Sequence, residues 1–156
     1  MKITFSKVIY NVIVNIPVCF CLAIAGALMG GSTINWANLG INFSISFVLA
    51  MLIGLFVPLT AIGRWFTALF RVPNETYTHN LRYRLLATFI SSCIFYFIIS
   101  PILTVANFYL VPNQNFGACV INWLVDIPFL LLVGFLSTLA SDLVGYKAAH
   151  KIDQTF

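Results

Sequence analysis

Asp126 stands alone in the most apolar part of this chain. It lies within NWLVDIPFLLLVGFL, in a run from Ala118 to Ser141 that holds no other charge. At 1.5 Å per helical residue it would sit roughly 12 Å from the nearer end of that run. A carboxyl group in hydrocarbon either stays protonated or finds partners, and acids of this kind often bind protons or cations in transporters. Asn122 lies one helical turn away on the same face. Asn15, Ser44, Ser46 and Asn107 are further polar residues inside apolar runs. Asp126, Asn122, Asn15 and Ser46 are the candidate substrate- or ion-binding residues. The competing reading is structural: a hydrogen bond between helices, or an aspartate reaching outward near a kink at Pro128. The sequence shows no second acid inside an apolar run, which argues against a two-carboxylate relay.

Asp142 and Arg64 fall near the inner ends of the fourth and second apolar runs. They are candidates for an ion pair joining the two halves of the chain, or for two separate headgroup residues. Glu75, His79 and His150 are too scattered for a metal site and are expected to be solvated. Of the four cysteines, Cys19, Cys21 and Cys93 lie in apolar runs, and Cys119 has no neighbour at the outer surface. They are expected to act as small hydrophobes. No phosphate-binding glycine loop, HExxH or nucleophile–base motif is present. The chain is therefore read as not an enzyme, with no metal or other cofactor.

The elements that must hold these residues follow from composition. Of 156 residues, 61% are hydrophobic and 8% charged, with mean hydropathy +1.00. Eight per cent is far below the roughly 25% that covers a soluble surface, so the surrounding solvent must be lipid. Crossing ~30 Å of hydrocarbon takes ~20 apolar residues in a helix. Four stretches qualify: Val8–Met29, Phe43–Gly63, Leu85–Leu110 and Ala118–Ser141. They are apolar all round, unlike barrel strands. The first has a basic leader and a small-residue Ala23-Ile24-Ala25, yet it is longer than a signal core and is read as an uncleaved span. The expectation is an all-α integral membrane protein, a single membrane domain over residues 1–156.

The charges orient it. All eight Lys and Arg residues lie in the N-terminal tail, the second connection or the C-terminal tail, and none in the other two connections. Basic residues mark the cytoplasmic side. Both termini and the loop from Arg64 to Arg84 are therefore expected inside, and the net charge of +4 calls for no nucleic acid. That loop opens with RWFTALFR, where Trp65, Phe66, Leu69 and Phe70 suit either a short interfacial helix or an extension of the second span. Trp36 and Trp123 are expected at the outer interface, Trp65 at the inner one.

The spans divide into two helical hairpins, about residues 7–72 and 82–150. With a shift of 80 residues, Asn42 meets Asn122, Phe43 meets Trp123 and Gly54 meets Gly134. A tandem repeat of two-span units would give both halves the same orientation. Each half resembles a bacterial two-helix membrane family, "domain of unknown function 2798"; the first half shows it in YNVIVNIPVCFCLAIAGALMG, INWANLGINF and FVLAMLIGLFVPLTAIGRW. The second half departs from the pattern, with Pro128 early in its second helix and no counterpart of Pro58. The resemblance implies tandem helical pairs in the bacterial cytoplasmic membrane and brings no activity. Pro17, Pro58, Pro101 and Pro128 put one kink in every span, and Gly26 to Gly30 makes a small-residue face for close helix approach.

Two function classes lead. One is an oligomeric transporter or channel for a small solute or ion, oligomeric because four helices enclose little lumen. The other is a non-catalytic accessory or assembly subunit, in a homo-oligomer or larger membrane complex. Lipid is the one partner the composition requires. An intramembrane enzyme is the third and weakest class.

Overall fold

The computed structural model describes residues 4–29, 35–72, 80–110 and 115–153. Five helices account for them: α1 (Phe5–Met29), α2 (Trp36–Phe56), α3 (Leu59–Leu69), α4 (Leu81–Leu110) and α5 (Phe116–Asp153). All but α3 are long and apolar enough to cross a membrane. Helix is the conformation that satisfies every backbone polar group within one segment, as lipid demands. The starts of three helices are set by asparagine. Asn35 Oδ1 accepts from the Ala37 amide at 3.0 Å, Asn80 Oδ1 from Arg82 at 3.1 Å and Asn115 Oδ1 from Gly117 at 2.9 Å. Each side chain takes up an amide that lacks a partner in the first helical turn.

The second span ends earlier than its hydropathy suggests. Proline disfavours helical geometry in the residue before it, and Val57 is extended at φ −82°, ψ 131°. The chain turns at Pro58 and starts the separate helix α3, so this proline breaks its span. Pro17, Pro101 and Pro128 stay inside α1, α4 and α5. RWFTALFR accordingly belongs to a short helix of its own. Gly63 and Thr67 are buried, with Gly63 facing Ala87 of α4, while Trp65 and Leu69 stay exposed. The fourth span runs well past Ser141, because α5 has 38 residues.

The long helices close a ring in the order α1, α2, α4, α5, with α3 laid on α4 and the most extensive contact between α1 and α5. Glycine permits the close approaches. A Cβ on Gly145 would stand 2.6 Å from Val14 Cγ2, and one on Gly54 would overlap the Asn11 side chain. A Cβ on Gly26 would meet open space, so the small-residue face expected there is not what brings these helices together; Gly30 lies outside the described residues.

Polarity is arranged inside out. Asn11, Asn15, Ser46, Thr88, Ser92 and Asp142 are buried, while Phe20, Val48, Phe97, Val125 and Leu132 are exposed. In water such an arrangement would be costly, but beside lipid tails exposed apolar side chains are at no disadvantage. A small apolar core of Cys19, Ala50, Ile53 and Ile99, flanked by Phe43, Phe47 and Phe95, holds α1, α2 and α4 together.

Candidate functional site

Each long helix carries a polar or small-residue stripe repeating every four residues. On α1 it is Lys7, Asn11, Asn15, Cys19 and Ala23; on α2, Asn38, Asn42, Ser46, Ala50 and Gly54. On α4 it is Thr88, Ser92, Tyr96, Ser100 and Thr104; on α5, Asn122, Asp126, Leu130, Gly134, Thr138 and Asp142. Steps of four outrun the 3.6-residue turn by about 40° each, so a stripe winds around its helix. The stripes line one cavity of about 1470 Å³ between the helices. Four helices were expected to enclose little lumen.

Asn15, Ser46, Asn122 and Asp126 all line this cavity, from α1, α2 and α5. Asn15 is buried, and its amide donates weakly to Met51 Sδ at 3.9 Å. The Ser46 hydroxyl donates to the Asn42 carbonyl at 2.7 Å, leaving its oxygen free to accept. Ser44 is exposed, bonds the Gly40 carbonyl at 2.8 Å and takes no part in the lining. Asp126 is half-buried and makes no hydrogen bond or ion pair with any described residue. Two more cavity-lining side chains have buried polar atoms without a hydrogen-bond partner among the described residues, Asn42 Oδ1 and Ser92 Oγ, while the Tyr96 hydroxyl lies beside Ser100 and Trp123. Each such atom costs about 1–3 kcal/mol unless water or a ligand meets it.

Trp123 faces inward. Its indole Nε1 donates to Ser100 Oγ at 2.7 Å, and the ring lines the cavity beside Asp126. This bond also aligns α4 with α5, bringing Tyr96 within electrostatic range of Asp126.

About 24 Å along α5 from Asp126, at 1.5 Å per residue, lies the second acid. Asp142 is 2% exposed, so it is enclosed among the helices. Its partners also differ from those expected. Arg84 of α4, not Arg64, lies at ion-pair distance, with Nε 4.0 Å from Asp142 Oδ2, and Tyr10 of α1 donates its hydroxyl to Asp142 Oδ1. Arg84 also donates through a terminal nitrogen to the Leu139 carbonyl at 2.5 Å. Arg64 is exposed, because the break at Pro58 moves it onto α3. Nearby, Lys7 Nζ caps α2 by donating to the Leu55 carbonyl at 2.8 Å. Tyr10, Arg84 and Tyr96 escaped the sequence reading, which searched for isolated charges. The period-four register on α4 runs through Arg84 and Tyr96 and was a signal for those two, whereas Tyr10 lies off the stripe of α1.

Glu75 and His79, and the side chain of His150, lie outside the described residues. None of the four cysteines is in a disulfide, with Cys19 buried and Cys21 exposed.

The fold and its inside-out polarity define a multi-pass helical membrane protein. Comparison with known protein families, with curated proteins and with solved structures finds no match to this chain.

Proposed function

We propose that this protein is a small transporter or channel that passes a small solute or ion through its own helical ring, with Asp126 as the binding or protonation site. One observation carries the reading: an acid without a partner among the described residues lines a large cavity with unsatisfied polar atoms, while Asp142 is engaged by Tyr10 and Arg84. Asn122, Asn15 and Ser46 supply further polar contacts in that cavity. The Tyr10–Asp142–Arg84 cluster ties three helices at one end and acts as structure. The cavity lies within one chain, so the passage does not depend on an oligomer.

The halves are read as a tandem pair of hairpins of like orientation. Two things support this: the resemblance of each half to the two-helix family, and the cavity positions 42, 46, 50 and 54, which recur 80 residues later as 122, 126, 130 and 134. The distribution of Lys and Arg supports cytoplasmic termini, and the family resemblance supports a bacterial inner membrane. A cysteine probe at Asn38 or Asn115 should then react with a membrane-impermeant reagent from outside, and one at His79 should not. The reverse pattern would overturn the orientation.

Function is tested by flux into vesicles reconstituted with the purified chain, across a panel of small inorganic and organic cations. Flux above that of empty vesicles supports transport. A chain that moves nothing and co-purifies with a fixed membrane partner is an accessory subunit instead.

A further inference from the structure

The seam between α4 and α5 brings an acid and two aromatic side chains to one place on the cavity wall. Asp126 has no ion-pair or hydrogen-bond partner among the described residues. Tyr96 is 6% exposed and lines the cavity, with its hydroxyl beside Ser100 and Trp123 and its oxygen still able to accept from a ligand. Trp123 is held by its bond to Ser100, so its N–H is already used and its π system is what it has left to offer. A carboxylate beside tyrosine and tryptophan rings attracts a cation twice, through its charge and through the ring quadrupoles.

The kind of cation can be narrowed. Calcium takes six to eight oxygen ligands, and magnesium keeps an octahedral shell. Here Asp126 is the lone carboxylate at the seam, and among the described residues no three His, Cys, Asp or Glu side chains cluster. The Ser100 hydroxyl is engaged by the indole. A neutral solute would leave the aspartate's charge uncompensated in a largely apolar setting. The cavity of about 1470 Å³ is far larger than a bare ion, and Phe95, Ile99 and Leu103 add apolar wall on α4.

We propose that Asp126, Tyr96 and Trp123 form a binding site for an organic ammonium ion, an amine carrying an alkyl or aryl body. The ammonium faces Asp126, donates a second N–H to Tyr96 Oη and lies against the aromatic rings, while its body fills the apolar part of the cavity. This inference rests on the solute-binding reading of the cavity and names the class of solute.

The test uses the full chain in lipid nanodiscs and compares 2-phenylethylammonium with its uncharged counterpart, 2-phenylethanol, by titration calorimetry. The ammonium should bind at least about tenfold tighter than the alcohol, the scale of one favourable ionic contact. Trp123→Leu should weaken it about tenfold, as for a partly desolvated cation–π contact. Asp126→Asn should abolish the preference for the charged probe while leaving the alcohol bound, which a misfolded chain would not do. Equal binding of both probes to the unaltered protein overturns the proposal without any variant. So does a charge preference that survives both Trp123→Leu and Tyr96→Leu. Asp126-dependent sodium or potassium flux without ammonium binding would discard the ammonium site and keep the transporter. Ammonium binding without flux of any cation would keep the site and discard the transporter.

Discussion

Arg84→Met should destabilise the bundle by about 3–5 kcal/mol, the cost of removing one partner from a buried ion pair. Arg84 and Asp142 have side chains 14% and 3% exposed, so little solvent is at hand to take up the remaining charge. The loss goes beyond the ion pair, because the guanidinium also satisfies the Leu139 carbonyl on the same helix as Asp142. Tyr10 would remain as a donor to Asp142, but a neutral hydroxyl does not replace the charge of the guanidinium. Removing both charges is a different matter, since apolar residues of similar volume often replace a buried pair at little cost. The double variant Arg84→Met/Asp142→Leu should therefore recover most of the stability that Arg84→Met loses. Unfolding of the single and double variants in detergent, followed by helical circular dichroism, gives the coupling energy. A double variant as unstable as the sum of its singles would show that the pair does not act as a unit.

Asp126→Asn should behave in the opposite way, leaving stability nearly unchanged and lowering flux of the transported cation at least about tenfold. The amide keeps the shape of the carboxyl but can neither carry a negative charge nor release a proton. A single charge contact at intermediate dielectric amounts to a few kcal/mol, and 1.4 kcal/mol already makes a tenfold change. Stability should hold because Asp126 bonds to no described residue that the change would orphan. Asp126→Glu, with the charge kept and moved by one methylene, should retain part of the flux. Initial rates in vesicles, alongside the unfolding midpoint of each variant, separate the two effects. Together the two aspartates make a contrast: Asp142 holds helices together, and Asp126 is left to meet a solute.

The spans were legible because apolar length is nearly all that lipid requires of a helix. Their ends were less so. Hydropathy runs smoothly from Phe43 through Gly63, yet the backbone restriction imposed by Pro58 divides that stretch in two. The asparagine caps at 35, 80 and 115 were readable signals for the starts of α2, α4 and α5. In the site, Asn122 and Asp126 could be joined from their spacing on one helix, and Asn15 and Ser46 from their polarity. The partner of Asp142 could not be read, because it depends on how α4 and α5 slide past each other. That register is set by contacts such as Trp123 with Ser100 and Arg84 with Leu139, pairs with no mark in the local sequence. The same limit hid the meeting of Tyr96 with Asp126. Gly145 illustrates it again: it lets α1 approach α5, while the more conspicuous Gly26 faces open space.

The central claim is that water and small solutes reach the interior of this ring, and cysteine labelling tests it most directly. In a chain whose four cysteines are replaced by alanine, Ser92→Cys puts a thiol of nearly the same size on the cavity wall, while Val48→Cys puts one on the exposed apolar surface. A small water-soluble methanethiosulfonate carrying an ammonium group should modify Ser92→Cys in intact vesicles and leave Val48→Cys untouched. If Ser92→Cys stays unmodified while a surface control at Asn115→Cys reacts, the interior is a dry core and the account is wrong.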